Sequence, residues 1–301
     1  MTESIFKPDA IAARFAEAGF VCTGELATTL FLADSLSKPL LLEGPPGVGK
    51  TEVAKLWADL HGARLVRLQC YEGLDEARAL YEWSYGKQML YAQLLRGRGD
   101  TAADIPLDEA VRALHGKADA FFSREFLLPR PLLEVILADD PVLLLVDEVD
   151  RSDEEFEAFL LEVLAEAQVT IPELGTLRAR QRPRVVLTSN DSRDLSDALR
   201  RRCLYLYIDY PSFEDEVRIV RARVPDAEAR LVEQLVRFTQ NVRKAAVRKQ
   251  PGIAETLDWA LALTAVGADG LGSTVVRRTL GALLKSREDV EHVLANLPRF
   301  K

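Results

Sequence analysis

"GPPGVGKT", Gly44 to Thr51, is the stretch on which the reading of the whole chain turns. It matches G-x-x-x-x-G-K-[ST], the pattern of a phosphate-binding loop, and its surroundings suit that role. The apolar run "PLLLEG" (39–44) precedes it and the helical pattern "TEVAKLWADLHG" (51–62) follows. Gly44, Gly47 and Gly49 let the backbone wrap close to phosphate oxygens and aim successive N–H groups at them. The start of a helix adds positive potential there. Pro45, Pro46 and Val48 complete the loop, Lys50 is placed to reach the β and γ phosphates, and Thr51 offers a hydroxyl to Mg²⁺. A glycine-rich turn that merely starts a helix is the plainer alternative. The flanking strand and helix favour a nucleotide.

Outward from the loop, "PVLLLVDE" (141–148) and "RVVLTSN" (184–190) are further continuous apolar runs. Such runs suit strands buried on both faces, as in a parallel sheet covered by helices. "ARLVRLQC" (63–70) and "CLYLYIDY" (203–210) alternate more and read as additional strands. Between them "DEEFEAFLLEVLAEAQ" (153–168) reads as a helix with Asp153 as N-cap. Strand and helix in alternation predict an α/β fold with crossover connections. The piece from about Cys70 to Pro131 is too long for a plain crossover. It joins an aromatic stretch, "LYEWSYGKQMLY" (80–91), to a polar one, "RGRGDTAADIP" (96–106), and reads as an insertion around 71–130 with its own helices. Past Pro211 every pattern is helical. Residues 1–210 are therefore read as a nucleotide-binding α/β domain and 211–301 as a small all-helical one.

Composition narrows the function. A net charge of −8 over 301 residues argues against a broad basic surface for nucleic acid. The N-terminus lacks the apolar core of a signal peptide and no stretch has the roughly 18 apolar residues of a membrane span, so a cytoplasmic location is expected. Cys22, Cys70 and Cys203 are scattered and share no ligand spacing with His61, His115 or His292, which makes buried small hydrophobes of the cysteines. The basic cluster "VRKAAVRKQ" (242–250) reads as a solvated helix face. Trp83, Tyr85 and Tyr91 fit either a gripping surface or packing of the insertion.

At the end of its strand, "LLLVDEVD" places Asp147 and Glu148 where ligands of α/β sheets bind. Asp147 suits Mg²⁺, directly or through water, and Glu148 suits orienting or deprotonating an attacking water; the alternative is the start of a solvated loop. Asp150, Asp153, Glu154 and Glu155 are assigned to a solvated helix start. Asn190 ends the next strand, either touching a γ-phosphate or its water or serving as an ordinary turn former. Arg200, Arg201 and Arg202 then crowd the end of a short helix. The helix dipole accounts for one of them, and a guanidinium offered in trans to a phosphate accounts for another.

"GPPGVGKT", "LLLVDEVD", "LTSN" and "LRRRC", in that order and followed by helices, resemble an AAA+ ATPase from about Gly19 to the C-terminus. The resemblance implies a P-loop NTPase fold: a parallel five-stranded sheet flanked by helices, with the loop on a central strand and a helical lid. It further implies ATP and Mg²⁺ as ligands, Asn190 as first sensor, and a homo-oligomeric ring, hexameric in this family. Arg202, before Cys203, matches the arginine finger and is similar to a clamp-loader Ser-Arg-Cys motif, with Arg201 in reserve. Within the family, "EAFLLEVLAEAQVTIPELG" (157–175) and the insert "YEWSYGKQML" resemble MoxR-type ATPases, and "PGIAETLDWALAL" (251–263) is similar to the CoxD-like subgroup. That subgroup accompanies carbon monoxide dehydrogenase and related molybdenum hydroxylases, which implies a chaperone that remodels or loads a metalloenzyme beside a von Willebrand A-domain partner. The lid departs from the family in one place. "GIAETLD" (252–258) has no second-sensor arginine, leaving Lys249 or Arg248 as substitutes. Two other readings stand: a DNA-linked ATPase of clamp-loader or branch-migration type, and a nucleotide-gated scaffold with little turnover.

Overall fold

The computed structural model of the chain describes residues 6–96, 123–172 and 174–300. Two helices precede the first strand, α1 (Pro8–Glu17) and α2 (Gly24–Leu36). Pro8 opens α1 where its missing N–H costs nothing, and the Thr23 hydroxyl caps α2 by accepting from Leu26 N at 3.2 Å. Strand β1 (Leu40–Glu43) leads through the glycine loop into α3 (Lys50–Leu60), which returns to β2 (Arg64–Gln69). In the insertion lie α4 (Glu76–Leu80), β3 (Tyr81–Trp83), α5 (Tyr85–Arg96) and β4 (Leu127–Pro129), while the polar stretch falls outside the described residues from position 97. β3 and β4 pair antiparallel, a feature the short mixed runs did not announce. Trp83 is buried and Tyr85 exposed.

The chain continues through α6 (Pro131–Ile136), β5 (Val142–Asp147) and α7 (Glu154–Glu166), the last capped by Asp153 accepting from Phe156 N at 2.8 Å. β6 (Gln168–Ile171) and β7 (Gly175–Arg178) form an antiparallel pair. Then come β8 (Arg184–Ser189), α8 (Asp197–Arg202) and β9 (Leu204–Tyr207).

One five-stranded parallel sheet, in the order β2-β5-β8-β1-β9, unites the five runs singled out in the sequence. The uninterrupted hydrophobicity of β5 has a direct cause. Leu144 and Val146 pack on one face with Phe156, Leu160 and Val163 of α7, while Leu143 and Leu145 pack on the other with Phe15, Leu30 and Trp57. The register sets Glu43 beside Ser189 and Val146 beside Leu187, so the loop after β1, the acids after β5 and the polar tip of β8 share one sheet edge. Cys70 and Cys203 are buried, and burial pushes both thiols up to about 12, in keeping with an inert packing role.

Past the sheet, α9 (Phe213–Arg223), α10 (Ala229–Arg243), α11 (Ile253–Ala265), α12 (Ser273–Leu283) and α13 (Arg287–Ala295) enclose a separate core around Phe238, Trp259 and Leu280. Arg243 corrects the solvated-face reading of the basic cluster. Its side chain is 7% exposed, forks onto fully buried Glu216 at 2.6 and 2.7 Å, and stacks over the Tyr210 ring at 4.5 Å. Helical spacing could not show this, because the partner sits on another helix. Lys244, Arg248 and Lys249 do face solvent. Glu216→Ala would leave a buried guanidinium unpaired and is expected to cost about 3–5 kcal/mol, read as a lowered denaturant midpoint.

Candidate nucleotide-binding site

The loop between β1 and α3 is shaped by what its glycines make possible. A Cβ on Gly44 would lie 2.0 Å from Ile208 O, so only glycine lets β1 turn beside β9. Gly49, at φ 101°, caps α3 in a conformation that side chains resist. Lys50 is buried at the head of that helix. Its ammonium donates to Gly44 O at 2.6 Å, Pro45 O at 2.8 Å and Asn190 Oδ1 at 2.9 Å. The loop thus holds its own cation on two of its carbonyls, and Asn190 ties β8 to it. Burial draws Lys50 down to about 8, against the opposing pull of Asp150, Asp147, Glu148 and Glu43.

Asp147, also buried, gathers donors from several elements. Thr51 Oγ1 lies 3.3 Å from both carboxylate oxygens, Thr188 Oγ1 donates to Oδ1 at 2.5 Å, and Arg67 donates to Oδ2 through Nε at 3.0 Å and Nη2 at 2.6 Å. The Thr51 hydroxyl and the Asp147 carboxylate stand together as hard oxygen donors, a set that suits Mg²⁺, which keeps several waters and shares phosphate oxygens. Among the described residues no group of three or more His, Cys, Asp or Glu forms an all-protein metal site. Glu148 adopts a left-handed backbone, φ 56°, and its carboxylate meets Arg151 at 3.0 Å. Asp150 departs from the solvated helix start expected for it. It is buried and accepts from Ser192 N at 3.0 Å and Ser192 Oγ at 2.6 Å. Burial raises its carboxyl, but those hydrogen bonds outweigh burial and hold it below the usual range. Asp153, Glu154 and Glu155 are exposed.

The three arginines part company. Arg200 turns inward to buried Glu43 at 3.2 Å and lies 6.0 Å from the centre of the Tyr205 ring, whose hydroxyl donates to the same carboxylate at 2.8 Å. It therefore neither caps the helix nor faces outward, as the sequence had left open. Arg201 is exposed, 3.9 Å from Asp197. Arg202 is exposed, with Nη1 donating to Ala198 O at 3.2 Å. Lys50 with Asn190 and Thr51 with Asp147 form two hydrogen-bonded pairs at the head of α3, and the contacts of Arg201 and Arg202 stay within their own helix.

A cavity of about 610 Å³ opens beside Gly47, Val48 and Gly49, walled by Phe20, Val21, Ile208, Ile253 and Leu257. These apolar residues come from distant segments and look like core in the sequence, which is why they were missed. The lid reaches the loop through main chain: Ile253 N donates to Gly47 O at 3.0 Å, and a Cβ on Gly252 would meet Gly47 Cα at 2.9 Å. Of the substitutes considered for a second sensor, Arg248 pairs with Glu288 at 2.8 Å in solvent, while Lys249 lines a cavity shared with Pro45 and Pro46. The depressed Lys50 gives a prediction with a definite sign. The ammonium is charged below about 8 and neutral above it, and a triphosphate binds the charged form. Affinity for a triphosphate should therefore fall as pH rises from about 8 toward 10, and Lys50→Met should abolish that slope in a fluorescence titration.

Residues 39–203, more than half of the chain, match the family described as AAA domain (dynein-related subfamily). The chain is similar to the gas vesicle ATPase GvpN of Haloferax mediterranei, 26% identical over 283 residues, covering 87% of this chain and 75% of that one. It is also similar to GvpN1 of Halobacterium salinarum, at 25% identity with the same coverage. Among solved structures, a RuvB of Thermotoga maritima shares 16% identity at a TM-score of 0.49, covering 92% of this chain and 70% of that one. With the loop, the acids and the parallel sheet in place, the chain belongs to the AAA domain family, dynein-related subfamily, and is a nucleotide-binding ATPase.

Proposed function

We propose that the chain hydrolyses ATP to ADP and phosphate at interfaces between its own copies and uses that cycle to remodel a protein partner, in the manner of MoxR-type ATPases. The observation that carries this reading is the convergence of Lys50, Thr51, Asp147 and Asn190 around the loop, with Glu148 beside them on a strained turn. In this reading residues 1–210 work as the ATPase domain, 211–301 as its lid, and the nucleoside enters the apolar cavity under α11. Lys50 exchanges the carbonyls of Gly44 and Pro45 for β and γ phosphate oxygens, and the loop N–H groups do the same work as a nest. Thr51 and Asp147 would hold Mg²⁺, which neutralises charge on the phosphate oxygens when bound. Glu148 orients the attacking water and takes its proton as the oxygen bonds to the γ-phosphorus and the bond to the bridging oxygen of ADP breaks. Asn190 positions that water or the γ-phosphate.

Arg202, with Arg201 in reserve, is the group offered to the neighbour's γ-phosphate, and both are exposed at the end of α8 as that role needs. A ring, hexameric by resemblance, follows from a finger acting in trans. The metalloenzyme client and von Willebrand A-domain partner rest on the CoxD-like resemblance. Relatives named as gas vesicle ATPases, matched over 87% of the chain, support a second setting for the same ATPase cycle, that of gas vesicles. A net charge of −8 stands against DNA as the substrate. Among the described residues no helix is long and apolar enough to cross a membrane.

Two measurements test the mechanism. Glu148→Gln should lower kcat about 100-fold or more while nucleotide affinity survives; unchanged turnover would remove Glu148 from its role. Arg202→Ala should lower kcat by about 1,000-fold at near-native affinity. Mixing it with Lys50→Ala subunits should restore part of the activity at hybrid interfaces, and mixed rings that recover nothing would return Arg202 to a surface role.

A further inference from the structure

Arg67 is the residue next to the acids for which the nucleotide mechanism has no use. It stands on β2, the edge strand, opposite Leu145 of β5, and its side chain reaches diagonally along the pair to Asp147, the register partner of Gln69 and 80 residues away in sequence. Both guanidinium contacts, Nε at 3.0 Å and Nη2 at 2.6 Å, go to one oxygen, Oδ2. Nη2 also donates to Gln69 Oε1 at 2.5 Å, on the same face of the strand. Other acids of this edge have partners that do not compete with a metal: Glu43 has Arg200, Glu148 has Arg151 and Asp150 has Ser192. Arg151 is as exposed as Arg67, but it holds Glu148; the exposed cation on the carboxylate assigned to Mg²⁺ is Arg67.

Burial separates Arg67 from a purely structural ion pair. Asp147 is 6% exposed at its side chain and cannot move, whereas the Arg67 side chain is 54% exposed and can leave into water without desolvation cost. By contrast Arg184, which braces Asp34 elsewhere in the fold, is 10% exposed and has no such exit. A guanidinium and a divalent cation close to one carboxylate also repel each other. Either Arg67 gives up Oδ2 when the metal arrives, or it stays and weakens the metal.

We propose that Arg67 is a positioning residue that sets the Mg²⁺ requirement of the site: it neutralises Asp147 before nucleotide binds and must be displaced from Oδ2 for the metal to be held. In this arrangement Gln69 keeps the released guanidinium beside the site rather than free in solvent. The role rests on the ATPase reading above.

The test is a Mg²⁺ titration of the whole chain at fixed concentration of a fluorescent, non-hydrolysable ATP analogue, read by anisotropy. Arg67→Gln should lower the Mg²⁺ midpoint by about 3- to 10-fold, the worth of a partly exposed, charge-assisted pair. Arg67→Lys, which keeps the charge and loses the two-pronged contact, should lower it by about twofold and serves if the glutamine variant fails to fold. A midpoint that is unchanged or raised in a folded variant, with only the melting temperature reduced, would leave Arg67 as a brace between β2 and β5 and overturn the proposal. Wild-type protein that binds the analogue with no dependence on Mg²⁺ would instead overturn the underlying metal-nucleotide reading.

Discussion

Carboxylates crowded onto one edge of the sheet are the constraint to which the rest of the molecule answers. Glu43, Asp147 and Asp150 are buried there and Glu148 lies beside them. Like charges so close in a region of reduced dielectric would drive protons onto the acids unless each charge were met. The protein meets them separately: with Arg200 and Tyr205, with Arg67 and hydroxyls, with Arg151, and with Ser192. Lys50 feels all of these acids yet bonds to none of them, only to neutral oxygens. That separation matters for chemistry. A lysine locked to a carboxylate would have to break a buried ion pair to greet a phosphate, whereas one resting on carbonyls exchanges weaker partners for a stronger one.

Strand β8, at the middle of the sheet, organises this edge with adjacent hydroxyls. Thr188 donates to Asp147 and accepts from the N–H of Glu148; Ser189 donates to Glu43 at 3.4 Å and accepts from the N–H of Asp191 at 3.0 Å. Because neighbouring residues of a strand face opposite ways, one hydroxyl serves each side of the sheet. Each also fixes a left-handed turn, at Glu148 and at Asp191, in residues for which that conformation costs on the order of 1 kcal/mol or more. The left-handed turn takes the chain out of β5 at Glu148, whose carboxylate meets Arg151 one turn on. In the sequence both hydroxyls are only the middle letters of "LTSN".

What could be read from the chain followed from how local the signal was. The phosphate loop, the sheet strands and the Asp153 cap are each written in a dozen residues or fewer, and each formed where it was expected. The pairs that tune the site are not local. Arg200 finds Glu43 at a separation of 157 residues and Arg67 finds Asp147 at 80, so neither partner is visible from the other. Asp150 looked solvated because acids follow it, and the structure buries it because a β8 loop folds over it. Arg243 looked like one charge of a basic face until Glu216 arrived from α9. For Asp150 and Arg243 a charged residue in an exposed-looking context was buried by tertiary pairing, a choice that periodicity does not encode. The cavity failed to show for the opposite reason, since an apolar wall for a base has the same letters as a core.

The arginine run gains a division of labour from this. Three cations in the last turn of a six-residue helix gain little from its dipole and repel one another, so the run needs an anchor to remain ordered. Arg200 supplies it by binding Glu43, the residue that immediately precedes Gly44 and whose carbonyl accepts from Ile208 N at 2.7 Å. Helix α8 is thereby fastened to the root of the phosphate loop. One buried carboxylate thus joins the root of the loop to the helix that carries Arg201 and Arg202 at the surface. Of those, Arg202 is steadied by the carbonyl of Ala198 and precedes buried Cys203, whereas Arg201 has only a loose exposed pair. Of the two exposed arginines, Arg202 thus makes the closer contact within the helix, at 3.2 Å against 3.9 Å for Arg201.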